Sequence, residues 1–224
     1  MSPSASAITE DSSVFIRVGE DAIAGDLVMP QGMVGIVLFA HGSGSSRHSP
    51  RNRFVAHELQ QAGMATLLMD LLTADEERLD EISGSVRFDI GLLAGRLEKS
   101  SAWVRHNPST HALPMGYFGA STGAAAALVA AADRPQDVRA VVSRGGRPDL
   151  ATGSLGVVAA PTLLIVGGDD HVVIGLNRQA LDQLTCEKRL EIVPGASHLF
   201  EEPGTLKQVA ALAADWFGRH LVNS

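Results

Sequence analysis

Short, unbroken apolar runs recur along this chain, each separated from the next by a stretch of helical periodicity. The runs include "VGIVLFA", "MATLLM", "PMGYFGA", "VRAVV", "TLLIVGG" and "LEIV". An apolar run this short, with no polar alternation, fits a strand buried on both faces. Strands that alternate with helices are joined by crossovers, so they lie parallel in one sheet with helices on both sides. The start of the chain differs. "SVFIRV" and "AIAGDLVMP" alternate apolar with polar residues around "GED" and predict an antiparallel hairpin. The result is a doubly wound, mostly parallel α/β sheet of about eight strands. One domain over residues 1–224 is expected, with residues 1–11 as a flexible N-terminal tail.

The helical stretches are "RFVAHELQQAG", stopped by Gly63, a long amphipathic segment over 86–106, "STGAAAALVAAAD", "GLNRQALDQL" and "TLKQVAALAADWFGRHL". The acidic stretch "TADEERLDE" (73–81) reads as a solvated loop or a helix start.

Composition removes several function classes. The formal net charge is −7, from 18 basic and 25 acidic residues, and the basic residues form no concentrated face. A nucleic acid or an anionic membrane surface is therefore not an expected partner. Cys186 is the sole cysteine, which excludes an intrachain disulfide and a thiolate metal cluster. "MSPSASAITEDSS" lacks the basic and apolar regions of a secretory signal. The apolar run "GAAAALVAAA" is far below the ~18 residues of a membrane span. A cytoplasmic protein, monomeric or a small homo-oligomer, is expected.

In a doubly wound sheet, functional groups collect at the carboxyl ends of the strands. Those ends carry His41-Gly42-Ser43-Gly44, then Ser121, then Ser143-Arg144-Gly145-Gly146, then Asp169-Asp170-His171, and last His198. "GASTG" (119–123) has the G-x-S-x-G form of a nucleophile elbow, with a strand before and a helix after. On so tight a turn, side chains two positions either side of the serine would collide with neighbouring backbone. Glycine at 119 and 123 removes them and leaves the Ser121 hydroxyl exposed above the sheet. The alternative is a plain strand-to-helix turn whose small residues only allow close packing. A serine hydroxyl is hardly ionised at neutral pH and needs a general base. His198, in the loop before the last helix, is better placed for this than His57, His106, His111, His171 or His220. The glycine-rich "HGSG" turn offers a backbone N–H, that of Ser43, to join the Thr122 N–H in an oxyanion hole. It is no phosphate loop, because G-x-x-x-x-G-K-[ST] is absent and Arg47 replaces the third glycine of G-x-G-x-x-G. Arg144 is a candidate anchor for a substrate carboxylate, the alternative being an ion pair with a nearby acid. Asp169, Asp170 and His171 are adjacent and do not converge on one ion, so no metal site is read.

"FAHGSG", "GYFGASTG", "LLIVGGDDHVV" and "VPGASHLFEEPG" together resemble the α/β-hydrolases, and among them the small, lid-poor dienelactone-hydrolase-like branch. The resemblance covers nearly the whole chain. It implies an eight-stranded sheet with the second strand antiparallel, and hydrolysis of an ester through an acyl-enzyme. Similar hydrolases follow a G-x-x-D-x-x-V pattern, which Gly167, Asp170 and Val173 meet, so the resemblance makes Asp170 the acid. Asp169 then turns aside and braces the turn through a local side-chain bond. Dienelactone hydrolases proper use a cysteine nucleophile, whereas Ser121 stands here and Cys186 lies elsewhere. That departure favours a general carboxylesterase. Some similar sequences are joined to a phosphoribosyltransferase domain, and nothing in this chain matches one.

The expectation is a serine hydrolase with the triad Ser121, His198 and Asp170, acting on a small ester without cofactor or metal. Two rivals use the same residues: a non-catalytic receptor for small ligands, and an acyltransferase or perhydrolase. Only the segment from Arg144 to Ala160 follows the sixth strand, which is too short for a large lid.

Overall fold

The computed structural model describes residues 8–222. Eight strands form one sheet in the order β1-β2-β4-β3-β5-β6-β7-β8. The strands are β1 (Ile8–Val18), β2 (Asp21–Pro30), β3 (Gly35–Ala40), β4 (Met64–Met69), β5 (Met115–Ala120), β6 (Val138–Arg144), β7 (Thr162–Gly167) and β8 (Lys188–Val193). β2 runs antiparallel to both neighbours, and every pairing from β4 to β8 is parallel. Residues 8–11, read from sequence as tail, belong instead to β1, where they pair with the end of β2. The other residues of that expected tail, 1–7, lie outside the described residues.

Every residue of β3, β4, β5 and β7 is buried, as unbroken apolar runs require. β2 alternates, because its sequence does. Helices α1 (Pro50–Gln61) and α7 (Thr205–Leu221) pack one face of the sheet, around Phe39, Phe118, Trp216 and Phe217. Helices α3 (Ile90–His106), α4 (Thr122–Asp133), α5 (Thr152–Leu155) and α6 (His171–Gln183) cover the other. α4 is buried almost all round, since it is pressed between the sheet and α3, and alanine lets it lie close.

One local reading resolves to one of its two alternatives, the helix start, and another needs correction. The acidic stretch is a helix, α2 (Ala74–Ser83), closed by a capping box between Thr73 and Glu76. The helix expected over 86–106 begins at Ile90, because the Asp89 carboxylate accepts the Leu92 N–H at 2.9 Å and caps it there. Val86–Phe88 form a single 3₁₀ turn instead. Between β6 and β7 lie only a 3₁₀ turn (Pro148–Ala151) and the four-residue α5, so no large lid covers the strand ends. No helix among the described residues is long and apolar enough to cross a membrane.

Candidate active site

Ser121 stands between β5 and α4 with φ 51° and ψ −120°, a left-handed backbone that costs a non-glycine residue about 1–3 kcal/mol. The strain is held by three backbone bonds. Ser121 N–H donates to Arg144 O (3.2 Å), while its carbonyl accepts from Ala124 N (3.1 Å) and Arg147 N (3.1 Å). Crowding accounts for both flanking glycines. A Cβ on Gly119 would lie 2.4 Å from the Ala124 Cα, and one on Gly123 would lie 2.3 Å from the Ala40 carbonyl oxygen. No L side chain fits at either position, so the motif is set by the backbone of β3 and α4.

The loops that carry Asp170 and His198 are zipped together by main-chain bonds. Gly168 N–H donates to Val193 O (2.8 Å) and Asp169 N–H to Ala196 O (3.0 Å). A side chain on Gly167 would meet the Ala196 and Ser197 carbonyls at 2.4 and 2.5 Å, so the two loops close only over glycine. Phe200 pins the His198 loop by burying its ring in the core, and Glu202 Oε2 accepts the Ser197 N–H at 3.0 Å. The outcome is a 2.6 Å contact between His198 Nδ1 and Asp170 Oδ2. Asp169 is exposed, and its side chain makes no hydrogen bond among the described residues. The local brace expected of it is therefore replaced by its backbone N–H.

Ser121 and His198 line one cavity of about 250 Å³, together with Ser43, Arg51, Asn52 and Arg144. The Ser121 hydroxyl forms no hydrogen bond to the ring, a contact that commonly tightens only with substrate in place. A second cavity of about 370 Å³ shares Gly42, Ser43 and Ser45 as a common wall. Cys186 is far from all of this. Its thiol lies 3.8 Å from the Thr162 hydroxyl, at the opposite end of β7 from the acid loop.

The oxyanion reading needs revision for one of its two donors. Ser43 N–H is committed to the Thr122 hydroxyl at 2.9 Å, because that side chain points back from the first turn of α4 to the "HGSG" turn. Thr122 N–H has no acceptor among the described residues and heads a twelve-residue helix. Sequence reasoning counted the Thr122 amide and missed its hydroxyl. It placed His41 at a strand end but gave it no role, and the ring is buried beside the same turn. His41 Nδ1–H donates to Gly42 O (2.9 Å), and Nε2 accepts the Leu71 N–H (3.2 Å), so the neutral ring ties the turn to the end of β4.

Burial pushes the His41 pKa below its ordinary 6.5, against smaller opposing effects from the Gly42 bond and Asp70. The unfolded chain then binds a proton that the folded chain refuses. Stability is complete above pH 6.5 and falls as pH drops below it towards the folded value. The slope owed to this one group is at most about 1.4 kcal/mol per pH unit. Thermal melts between pH 8 and pH 5 are expected to show a steeper acid loss for the native chain than for His41→Gln. Parallel curves would remove His41 from this role.

Arg144 is the last residue of β6 rather than a loop residue after it, since the strand continues pairing with Ile165. The side chain is buried, at 8% exposure, yet it makes no ion pair and no hydrogen bond among the described residues. The alternative of a neighbouring acid is thus not realised.

The sequence profile of the Dienelactone hydrolase family matches residues 23–221. The chain belongs to the dienelactone hydrolase family. It is 62% identical to a dienelactone hydrolase from Anabaena variabilis ATCC 29413, whose crystal structure superposes with a TM-score of 0.93 over 95% of this chain and 98% of that one. A Mycobacterium tuberculosis protein, recorded in strains CDC 1551 and H37Rv under a provisional phosphoribosyl transferase name, is 60% identical over 211 residues. That match covers 94% of this chain and 47% of the relative, so the chain spans about half the relative's length. A Xanthomonas campestris structure described as a serine hydrolase without lid shares the fold, with a TM-score of 0.75, 20% identity and coverage of 96% and 97%.

Proposed function

We propose that this member of the dienelactone hydrolase family is a serine hydrolase that cleaves small carboxylic esters through an acyl-enzyme. The observation that carries the reading is the 2.6 Å His198–Asp170 pair, whose histidine lines the same cavity as a serine held in a strained elbow. Ser121 Oγ attacks the ester carbonyl while His198 Nε2 takes its proton. Asp170 holds Nδ1–H and stabilises the imidazolium that forms. His198 then protonates the leaving alcohol, and a water activated by the same ring releases the acid. The oxyanion rests against the Thr122 amide and the positive end of α4, with the Thr122 hydroxyl fixing the Ser43 turn beside it. The transferase name attached to the mycobacterial relative belongs to a protein about twice as long, and the residues described here supply hydrolase chemistry.

Chain-length selectivity tests the reading. With a small cavity and only a short connection after β6, nothing shelters a long acyl chain. Steady-state kcat/KM on p-nitrophenyl esters is expected to fall from acetyl or butyryl towards palmitoyl, without activation by micelles. A stoichiometric burst with no turnover would mark a receptor instead, and a steady rise to palmitoyl would contradict the small-ester assignment. Added alcohol or hydrogen peroxide leaves the carboxylic acid as main product if hydrolysis dominates.

A further inference from the structure

Asn177 is wholly buried on α6, about two turns along the helix from Asp170. Its Nδ2 donates to Val173 O (2.8 Å) in its own helix and, 31 positions away in the chain, to Gly146 O (3.0 Å). Both acceptors are carbonyl oxygens, so the amide nitrogen has to be the end that faces them. Oδ1 finds no donor among the described residues and stays buried. A buried amide left half-satisfied is costly, and an apolar residue of the same size would avoid the cost. What the asparagine gains is its hold on Gly146. The turn from Gly145 to Arg147 leaves β6 and touches each part of the site. Gly145 N–H donates to Ile165 O (2.7 Å) in β7, and Arg147 N–H donates to the Ser121 carbonyl (3.1 Å). A Cβ on Gly145 would stand 3.5 Å from both Nδ1 and Cε1 of His198, so the turn lies against the ring on the edge that leads to Nε2. A Cβ on Gly146 would collide with Ser143 Oγ and Ala124 Cβ, so the turn is also pressed against β6 and α4. Helix α6 thus carries two fixed points for one imidazole. Asp170 meets Nδ1 directly at 2.6 Å, and Asn177 holds the turn beside it.

We propose that Asn177 is a positioning residue: its bond to Gly146 holds the 145–147 turn, and the turn sets where the His198 ring stands relative to the Ser121 elbow. This deepens the hydrolase reading and rests on it for the reaction, though not for the placement of the ring. Asn177 does not line the cavity, so its effect falls on proton transfer between Ser121 and His198 rather than on substrate binding. A misplacement of about 1 Å in such a site costs up to about a hundredfold in rate.

Asn177→Leu keeps the volume and removes both donors. On p-nitrophenyl acetate, with active sites counted by fluorophosphonate, its kcat is expected to fall by about ten- to a hundredfold while KM stays within about twofold. The low-field proton resonance of His198 Nδ1–H, followed by NMR, is expected to shift or broaden, since the turn beside the ring has lost its anchor. A lower melting temperature with kcat per active site and the resonance both unchanged would mean a structural role only, and would overturn the proposal. Asn177→Asp supplies a second arm should the leucine variant fail to fold. Burial favours its neutral acid, whose O–H still donates to Gly146 O, whereas the ionised form has no donor left. The ratio of its kcat to that of the native chain is therefore expected to fall between about pH 6 and about pH 10, with circular dichroism unchanged. A ratio that stays flat overturns the proposal too. Failure of the hydrolase reading would look different, since the native chain would turn over no ester while the His198 resonance still differed between it and Asn177→Leu.

Discussion

Replacing Ser121 with alanine is expected to lower kcat on p-nitrophenyl acetate by roughly 10⁵-fold or more, and to abolish labelling by a fluorophosphonate. The size follows from Ser121 being the nucleophile, as proposed. What survives is only the rate that the oxyanion donors and binding confer on water. The backbone offers an internal control. Ser121 sits at φ 51°, so Ser121→Ala keeps the strain while Ser121→Gly releases it. Both are expected to be inactive, with Ser121→Gly more stable than Ser121→Ala by about 1 kcal/mol. Mass spectrometry of the adduct on the native chain places the label. Labelling at any other serine, or activity kept by a folded Ser121→Ala protein, would refute the assignment.

The second large effect is expected at the proposed acid, where two adjacent aspartates should differ. Asp170→Asn preserves the shape of the group at 2.6 Å from His198 Nδ1 but presents a neutral amide in place of a carboxylate. The ring then loses the partner that fixes its tautomer and stabilises its charged form. A fall in kcat of up to about 10⁴-fold is expected if the triad logic holds. Asp169→Asn is expected to cost tenfold or less, since that side chain is exposed and only its backbone N–H grips the base loop. Steady-state kinetics on both variants, with folding verified by thermal melts, decides between them. Were Asp169→Asn the inactive one, the charge on this loop would act through a geometry other than the one seen.

Both predictions begin from features that are local in the chain. The apolar runs identified β3 to β7 because a strand covered on both faces has no room for polar side chains, and each run records that burial directly. Gly119 and Gly123 were readable for a similar reason, since their absence of side chain answers a clash within a few residues of Ser121 or in the strand beside it. The capping box of α2 was also present, as threonine followed three residues later by glutamate, but the acidic composition around it suggested solvent first. Strand ends were less legible. Ser143 and Arg144 are polar, so the apolar run stops before them, yet β6 continues because its backbone partners in β7 do.

The sequence by itself determined the sheet, the order of its functional loops and the types of side chain they carry. All of these depend on periodicity, on turn chemistry or on a steric conflict between near neighbours. Tertiary structure alone decided which groups meet. The Thr122 hydroxyl takes the Ser43 amide across 79 positions, His41 ties two loops through its two ring nitrogens, and Arg144 reaches the cavity with no acid to meet it. A hydrogen bond or an ion pair requires partners within about 3–4 Å at a suitable angle. Residues far apart in the chain come that close only after the sheet has closed and the helices have packed, and no local pattern records the distance.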